Sequence, residues 1–235
     1  RGLIDGNVKV TSGGGDVALD ASWNNRRTAY DIDLHAHQFP VNSFMPGLGI
    51  GLTTADLKVK GEGLDVFSPK TRIGADVNLT ETSYNKQPLH NLSLSGTLNE
   101  GLAKVMLASA NPGVDLHVNA EGNLFGETYN WTIAGDIADL DLHALGVMDS
   151  TANVKLAFDG RAAYTTKSGA IDAELDFPSF DILYGSSRIK GDNLFTTFIT
   201  NDSTTEAVIS NNDFNFDFVS PEKLSAIIAR TDSIS

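Results

Sequence analysis

The chain contains no cysteine. That excludes a disulfide scaffold and any thiol nucleophile, and it fits either a reducing compartment or an envelope protein built without cross-links. No apolar run is long enough to span a bilayer, and no signal peptide is present. Positive charge is scarce. Lys and Arg together number 17 against 30 Asp and Glu, a formal net charge of −13. Nucleic acid is therefore excluded as a partner, because phosphate contacts need a basic surface, and docking on an anionic membrane by charge is disfavoured for the same reason. The chain opens at Arg1 in mid-pattern, so we expect an internal piece of a longer protein, with any membrane anchor or export signal upstream.

What is abundant is strict alternation of apolar and polar residues, the mark of half-buried β-strands. Val17, Leu19, Ala21 and Trp23 alternate with Asp16, Asp20 and Ser22; Tyr30, Ile32, Leu34 and Ala36 with Asp31, Asp33 and His35. The same pattern runs through 73–79, 114–120, 129–133, 154–158 and 171–177, and through Phe214, Phe216 and Phe218. Turn residues separate the runs: Gly13-Gly14-Gly15, Asn24-Asn25, Glu62-Gly63, Asn111-Pro112-Gly113, Asp159-Gly160 and Lys167-Ser168-Gly169. Spacing this short suits antiparallel meanders rather than crossover helices. Helix is expected in three places only. One turn falls within Pro40–Pro46, a counterpart within Leu142–Asp149, and a short helix over Pro221–Arg230, with Ser220 as N-cap and Pro221 in the first turn.

The chain also repeats itself at about one hundred residues. Val17-Ala-Leu19 recurs as Val114-Asp-Leu116, Tyr30-Asp-Ile32 as Trp131-Thr-Ile133, Leu57 to Gly61 as Val154-Lys-Leu156 closed by Asp159-Gly160, Ile73 to Leu79 as Ile171 to Phe177, and Tyr84 as Tyr184. A fixed period marks a stacked, quasi-one-dimensional architecture. We divide the chain into a first β repeat over 1–110, a second, continuous with it, over 111–219, and a short helix opening the next segment over 220–235. The identical Asp33-Leu-His-Ala36 and Asp141-Leu-His-Ala144 break that period and are read as coincidence.

Motifs for chemistry are weak. Asp33, His35 and His37 share one strand face, but zinc needs further ligands of good geometry, and a polar strand face accounts for them better. There is no Gly-x-Ser-x-Gly elbow. Carboxylate pairs such as Asp31/Asp33, Asp139/Asp141 and Asp213/Asp217 follow from alternation on a solvated face. Gly47-Leu-Gly49-Ile-Gly51 lacks the spacing and setting of a dinucleotide loop. Four Asn-x-Ser/Thr sequences, at Asn78, Asn91, Asn130 and Asn201, are expected by composition alone. No catalytic residue, metal or cofactor is assigned, and no enzyme activity is expected.

A continuous amphipathic sheet with few helices must either fold onto a second sheet or keep an apolar groove, and periodicity leaves both open. The residues assigned to such a groove are Val17, Leu19, Trp23, Tyr30, Ile32, Leu57, Val59, Ile73, Val77, Leu79, Val114, Leu116, Trp131, Ile133, Val154, Leu156, Phe158, Ile171, Leu175, Phe177, Phe214, Phe216 and Phe218.

The run Phe39 to Pro46, the run Leu57 to Arg72 and the run Ala138 to Met148 resemble the TamB branch of the AsmA-like envelope proteins of Gram-negative bacteria. The resemblance implies a periplasmic segment of an inner-membrane-anchored protein, folded as a long, curled antiparallel sheet with an apolar groove, a β-taco. It implies a non-enzymatic role in outer-membrane biogenesis: conduction of phospholipid acyl chains between membranes, or assembly of outer-membrane proteins. The implied neighbours are flanking repeats of the same chain and an outer-membrane assembly protein reached through a C-terminal region absent from this stretch. The competing expectation, from the residues alone, is a structural or adhesive β-repeat module that binds protein or glycan.

Overall fold

Alternation with period two gives a strand one apolar and one polar face, and here strands of this kind follow one another fourteen times. The computed structural model, which describes residues 2–224 and Ala226, holds β1 (Leu3–Ser12), β2 (Gly15–Asn24), β3 (Ala29–Pro40), β4 (Leu52–Glu62), β5 (Arg72–Tyr84), β6 (Gln87–Asn99) and β7 (Leu102–Asn111). It continues with β8 (Val114–Asn123), β9 (Thr128–Asp141), β10 (Ala152–Thr165), β11 (Ala170–Tyr184), β12 (Ser187–Thr200), β13 (Thr205–Ser210) and β14 (Asn215–Ser220). All fourteen form one open antiparallel sheet in chain order. The all-β, curled and elongated architecture expected from the sequence holds. At the usual strand spacing the sheet extends roughly 60 Å across its strands.

Substantial contacts join only hydrogen-bonded neighbours, with a slight touch of β1 on β3, so no second sheet covers the first. The surface area measures the result. It is 14561 Å², where a compact monomer of 25.1 kDa exposes about 10,300 Å². The buried hydrophobic residues are correspondingly few: Leu89, Leu98, Ala103, Val114, Leu145 and Ala152.

Between the strands, helix among the described residues occurs at one end of the strands only. After β3 come α1 (Val41–Phe44), within the expected Pro40–Pro46, and a 3₁₀ turn at Pro46–Leu48 that runs past it, and Phe44 stacks on Phe39 with ring centroids 5.0 Å apart. The counterpart after β9 closes one turn through Leu145 N–H donating to the Asp141 carbonyl. Both loops converge on the β5–β6 turn: Asn85 N–H donates to the Gly49 carbonyl, and Asn85 Nδ2 donates to the Leu145 carbonyl. Under them lies the small core of Leu89, Val114 and Leu145, with Tyr84, Leu116 and Leu140 packed against it. The C-terminal helix expected over Pro221–Arg230 lies largely outside the described residues.

Along shared cross-strand rows, residues six strands apart stand about one hundred positions apart, the spacing of the repeat expected from the sequence. Ala120 on β8 stands 99 residues after Ala21 on β2, Trp131 stands 101 after Tyr30, Ala162 stands 101 after Gly61, and Ala173 stands 100 after Ile73. Three of the sequence matches are therefore off by two or four residues. Leu57 corresponds to Phe158 rather than Val154, Val17 to Leu116 rather than Val114, and Ile73 to Ala173 rather than Ile171. The error is always even, because a period-two strand matches itself under any even shift. Asp159-Gly160, expected as a turn, lies inside β10.

Candidate functional site: an uncovered apolar face

Residues paired across strands share a face. One row therefore crosses the whole sheet: Ile4, Trp23, Tyr30, Gly61, Ile73, Leu98, Ala103, Gly122, Trp131, Ala162, Ala173, Phe198, Ala207 and Phe218. The next row reads Gly6, Ala21, Ile32, Val59, Ala75, Gly96, Val105, Ala120, Ile133, Gly160, Leu175, Thr196, Ile209 and Phe216. Thr196 is the single polar member of either row. A third row carries Val8, Leu19, Leu34, Leu57, Val77, Leu94, Leu107, Val118, Gly135 and Phe158.

The rest of the sequence-assigned residues fall on the same side. Val17 and Leu79 lie one rung beyond the third row, as do Leu116 and Leu156, which both pair with Ile137; Val114 and Val154 lie further out, meeting at Leu140. Ile171 pairs with Tyr164 near the opposite rim, and Phe177 pairs with Leu194. Phe214 precedes β14 and closes the β13–β14 turn, its N–H donating to Asn211 Oδ1. Val114 differs from the rest in being buried beneath the Asn85 loops. The others are half-buried or exposed, from the interior residue Val77 to edge residues such as Phe216, 54% exposed. Leu34, Leu94, Leu107 and Val118 belong to the face by the same alternation and were absent from the sequence assignment.

The apolar face also holds a feature that sequence reasoning missed. Glycines stand in phase with its apolar residues, and bulky side chains from the adjacent strand lie flat over them. A Cβ built on Gly61 would come within 2.6 Å of the Tyr30 ring, one on Gly122 within 2.3 Å of Trp131, one on Gly135 within 2.7 Å of Phe158, and one on Gly191 within 2.6 Å of Phe180. Gly160 is likewise covered by Leu175, at 2.7 Å. On the opposite face, Gly74 has nothing within 4 Å of its Cβ position. Close contacts gather at these five glycines of the apolar side, whereas Gly6 on the same side has open space and Gly96 meets only the Lys104 carbonyl at 3.9 Å; the five crowded positions set the apolar side as the inside of the curl. The signal was readable: Gly61, Gly122, Gly135 and Gly160 each sit two residues after an inward apolar residue.

β-Bulges bend strands, and they fall in a band near the third row: between Ala36 and Phe39, Thr54 and Ala55, Asp115 and Leu116, Val154 and Leu156, and Ala157 and Asp159. Gln38, Asn91 and Asn193 adopt positive φ of 44°, 51° and 52° in the same band. Asn is among the side chains that tolerate this region best. Asn91, one of the glycosylation-like sites, thus has a backbone role, and where β6 turns away Asn111 accepts from His90 N–H and donates to the His90 carbonyl.

The outward face is the electrostatic opposite. One outward row runs Asp5, Ser22, Asp31, Lys60, Gly74, Thr97, Lys104, Glu121, Thr132, Arg161, Glu174, Thr197, Val208 and Asp217. Cross-strand ion pairs join Lys60 to Asp31 at 3.0 Å, Lys104 to Glu121 at 2.9 Å and Arg161 to Glu174 at 2.7 Å. The hydrogen bonds from Arg161 hold the Glu174 carboxyl below its ordinary range, and those from Arg188 do the same for Asp181. Asp139 is lowered chiefly by the bond from Asn153; burial opposes this as the next largest effect, and Gly113 N–H and Lys155 lower it further. His35 pairs with Asp56 at 2.5 Å, and among the described residues no group of three or more His, Asp or Glu could hold a metal ion.

No family model, curated protein or solved structure matches this chain. What the geometry defines by itself is a class: an open repeat sheet with one continuous, uncovered apolar face and one charged face.

Proposed function

We propose that this chain is a non-enzymatic segment of a conduit for hydrocarbon chains, of the TamB/AsmA-like kind that its sequence resembles, working in the periplasm of a Gram-negative bacterium between flanking repeats of the same protein. The observation that supports this most is the pair of rows, apolar but for Thr196, that crosses all fourteen strands and lies mostly uncovered among the described residues. Water against such a surface costs about 25 cal/mol per Å² of apolar area. A monomer rarely leaves more than a few hundred Å² of contiguous apolar patch without a binding role. Acyl chains of phospholipids, laid along the rows across the strands, would shield them and keep their head groups at the charged rims. A role in outer-membrane protein assembly, through an outer-membrane partner, draws on the same surface.

The outward row traced above carries no aromatic, and Phe195, paired with Asp176 and Ser210, lies on a neighbouring outward row. A glycan- or protein-adhesive module, the second reading, would display aromatics there. The experiment is native mass spectrometry of detergent-free protein with Val77→Glu and Leu175→Glu. Wild type is expected to carry bound lipid. Each variant loses it while keeping its β circular dichroism, because a carboxylate at a half-open rung stays hydrated. Wild type that repeatedly carries no lipid, or variants that retain it, would refute the reading.

A further inference from the structure

We propose that the β2–β3 turn is a head-group station: Arg26 and Arg27 capture the phosphate of an amphiphile whose tail lies in the apolar hollow beneath them. The proposal rests on the reading of the apolar face as a hydrocarbon surface and adds to it a ligand class and a place.

Arg26-Arg27 is the one point in this acidic chain where two cations are adjacent in sequence. Most other basic side chains have acidic partners. Lys9, Lys58, Lys60, Lys104 and Arg161 pair across neighbouring strands. Arg26 and Arg27 join no ion pair within 4.0 Å among the described residues, and both are exposed. Asn24 Oδ1 accepts from Arg26 N–H, and Asn25 N–H donates to the Gly2 carbonyl, so the turn is tied down at its base.

Directly below the turn lie Trp23 and Tyr30, a cross-strand pair whose rings stack at 6.2 Å and 10°. They head a hollow lined also by Ile4, Val8, Leu19 and Ile32. The position of Arg26 relative to this hollow is given by Gly2. Gly2 shares the side of the chain that Ile4 occupies on β1, and a Cβ built there would come within 3.1 Å of Arg26 Cγ. The stem of Arg26 therefore leans over the apolar side, bringing an unpartnered guanidinium to the mouth of the hollow. Guanidinium groups bind phosphate oxygens through paired N–H donors, and long cationic stems pack well on apolar surface. Arg26 at the rim, with exposed Arg27 next to it in the same turn and hydrocarbon-compatible surface below, matches an anionic amphiphile by charge as well as by polarity.

The test is titration with dodecyl phosphate and with neutral dodecyl maltoside, both below their micelle concentrations, following Trp23 emission in a Trp131→Phe background. Dodecyl phosphate should bind about tenfold more tightly, the scale of one added charge-assisted contact, and the advantage should shrink with salt. R26Q/R27Q should bring the two affinities together without weakening dodecyl maltoside, while R26K/R27K keeps part of the preference. Equal affinities in the parent protein, or a preference that survives R26Q/R27Q, overturn the head-group station and leave the hydrocarbon reading standing. If neither amphiphile alters Trp23 emission, the hydrocarbon reading itself fails at this site.

Discussion

The two faces of this sheet obey different rules although they are woven from the same strands. The outward face is conventional. Its rows alternate charges, its ion pairs are mostly exposed, and its one central glycine, Gly74, has open space above it. The inward face is apolar along every strand yet mostly uncovered. Four of its glycines, Gly61, Gly122, Gly135 and Gly191, lie beneath aromatic rings of the adjacent strand. The contrast shows that an apolar sheet face need not signal a closed core. Where the loops after β3 and β9 meet over Leu89, Val114 and Leu145 this one becomes a core in the usual sense, and elsewhere only single positions such as Leu98 and Ala103 are buried.

The strongest test of that contrast compares covered with uncovered apolar positions. Leu89→Ala should cost about 2–4 kcal/mol, as a large-to-small change in packed surroundings does. Val77→Ala on the open rows should cost under about 1 kcal/mol, since its side chain keeps much of its exposure. Urea unfolding measures both, and equal losses would mean that the open rows are packed after all. Next in size is the glycine contrast. Gly122→Ala drives a methyl into the Trp131 ring and should destabilise by about 1–3 kcal/mol. Gly74→Ala should be neutral within about 0.5 kcal/mol or mildly stabilising. Thermal melts that rank the two the other way would reverse the sense of curl assigned here.

The smallest effect concerns pH. The Asp139 carboxyl titrates below its ordinary value in the folded chain, held there first by the Asn153 amide. A lowered folded pKa means that the unfolded chain binds the proton more readily. The contribution is complete at neutral pH and disappears as pH falls through the unfolded value, near 4, and then the folded one. Asp139→Asn should therefore lower the melting temperature slightly at pH 7 and flatten its decline below pH 4. A parallel downward shift at every pH would mean that the carboxylate charge contributes nothing.

Much of this was legible in the amino acids. The β class, the antiparallel meander, the single helical turn after β3, and the common face of Trp23, Tyr30, Ile73, Trp131 and Leu175 all follow from alternation and turn residues, whereas the helix expected after β9 is a plain hydrogen-bonded turn. Asp159-Gly160 misled because the same dipeptide that makes a turn also makes a crowded strand position on the inner face. Asn91 and Asn193 were unreadable as bends, since an asparagine on a polar strand face gives no local sign of a positive φ.

What the sequence by itself determined is parity: which side of the sheet each residue occupies. Every even slip in matching the two repeats left that side unchanged, so Val114 and Leu116 are both inward whichever of them answers to Val17. The rung along each strand, the sense of the curl and the exposure of the inner face were decided by tertiary structure. Cross-strand hydrogen bonds select one register among equal even shifts, bulges bend the strands along one band, and whether anything packs over a face depends on residues far from it in the chain.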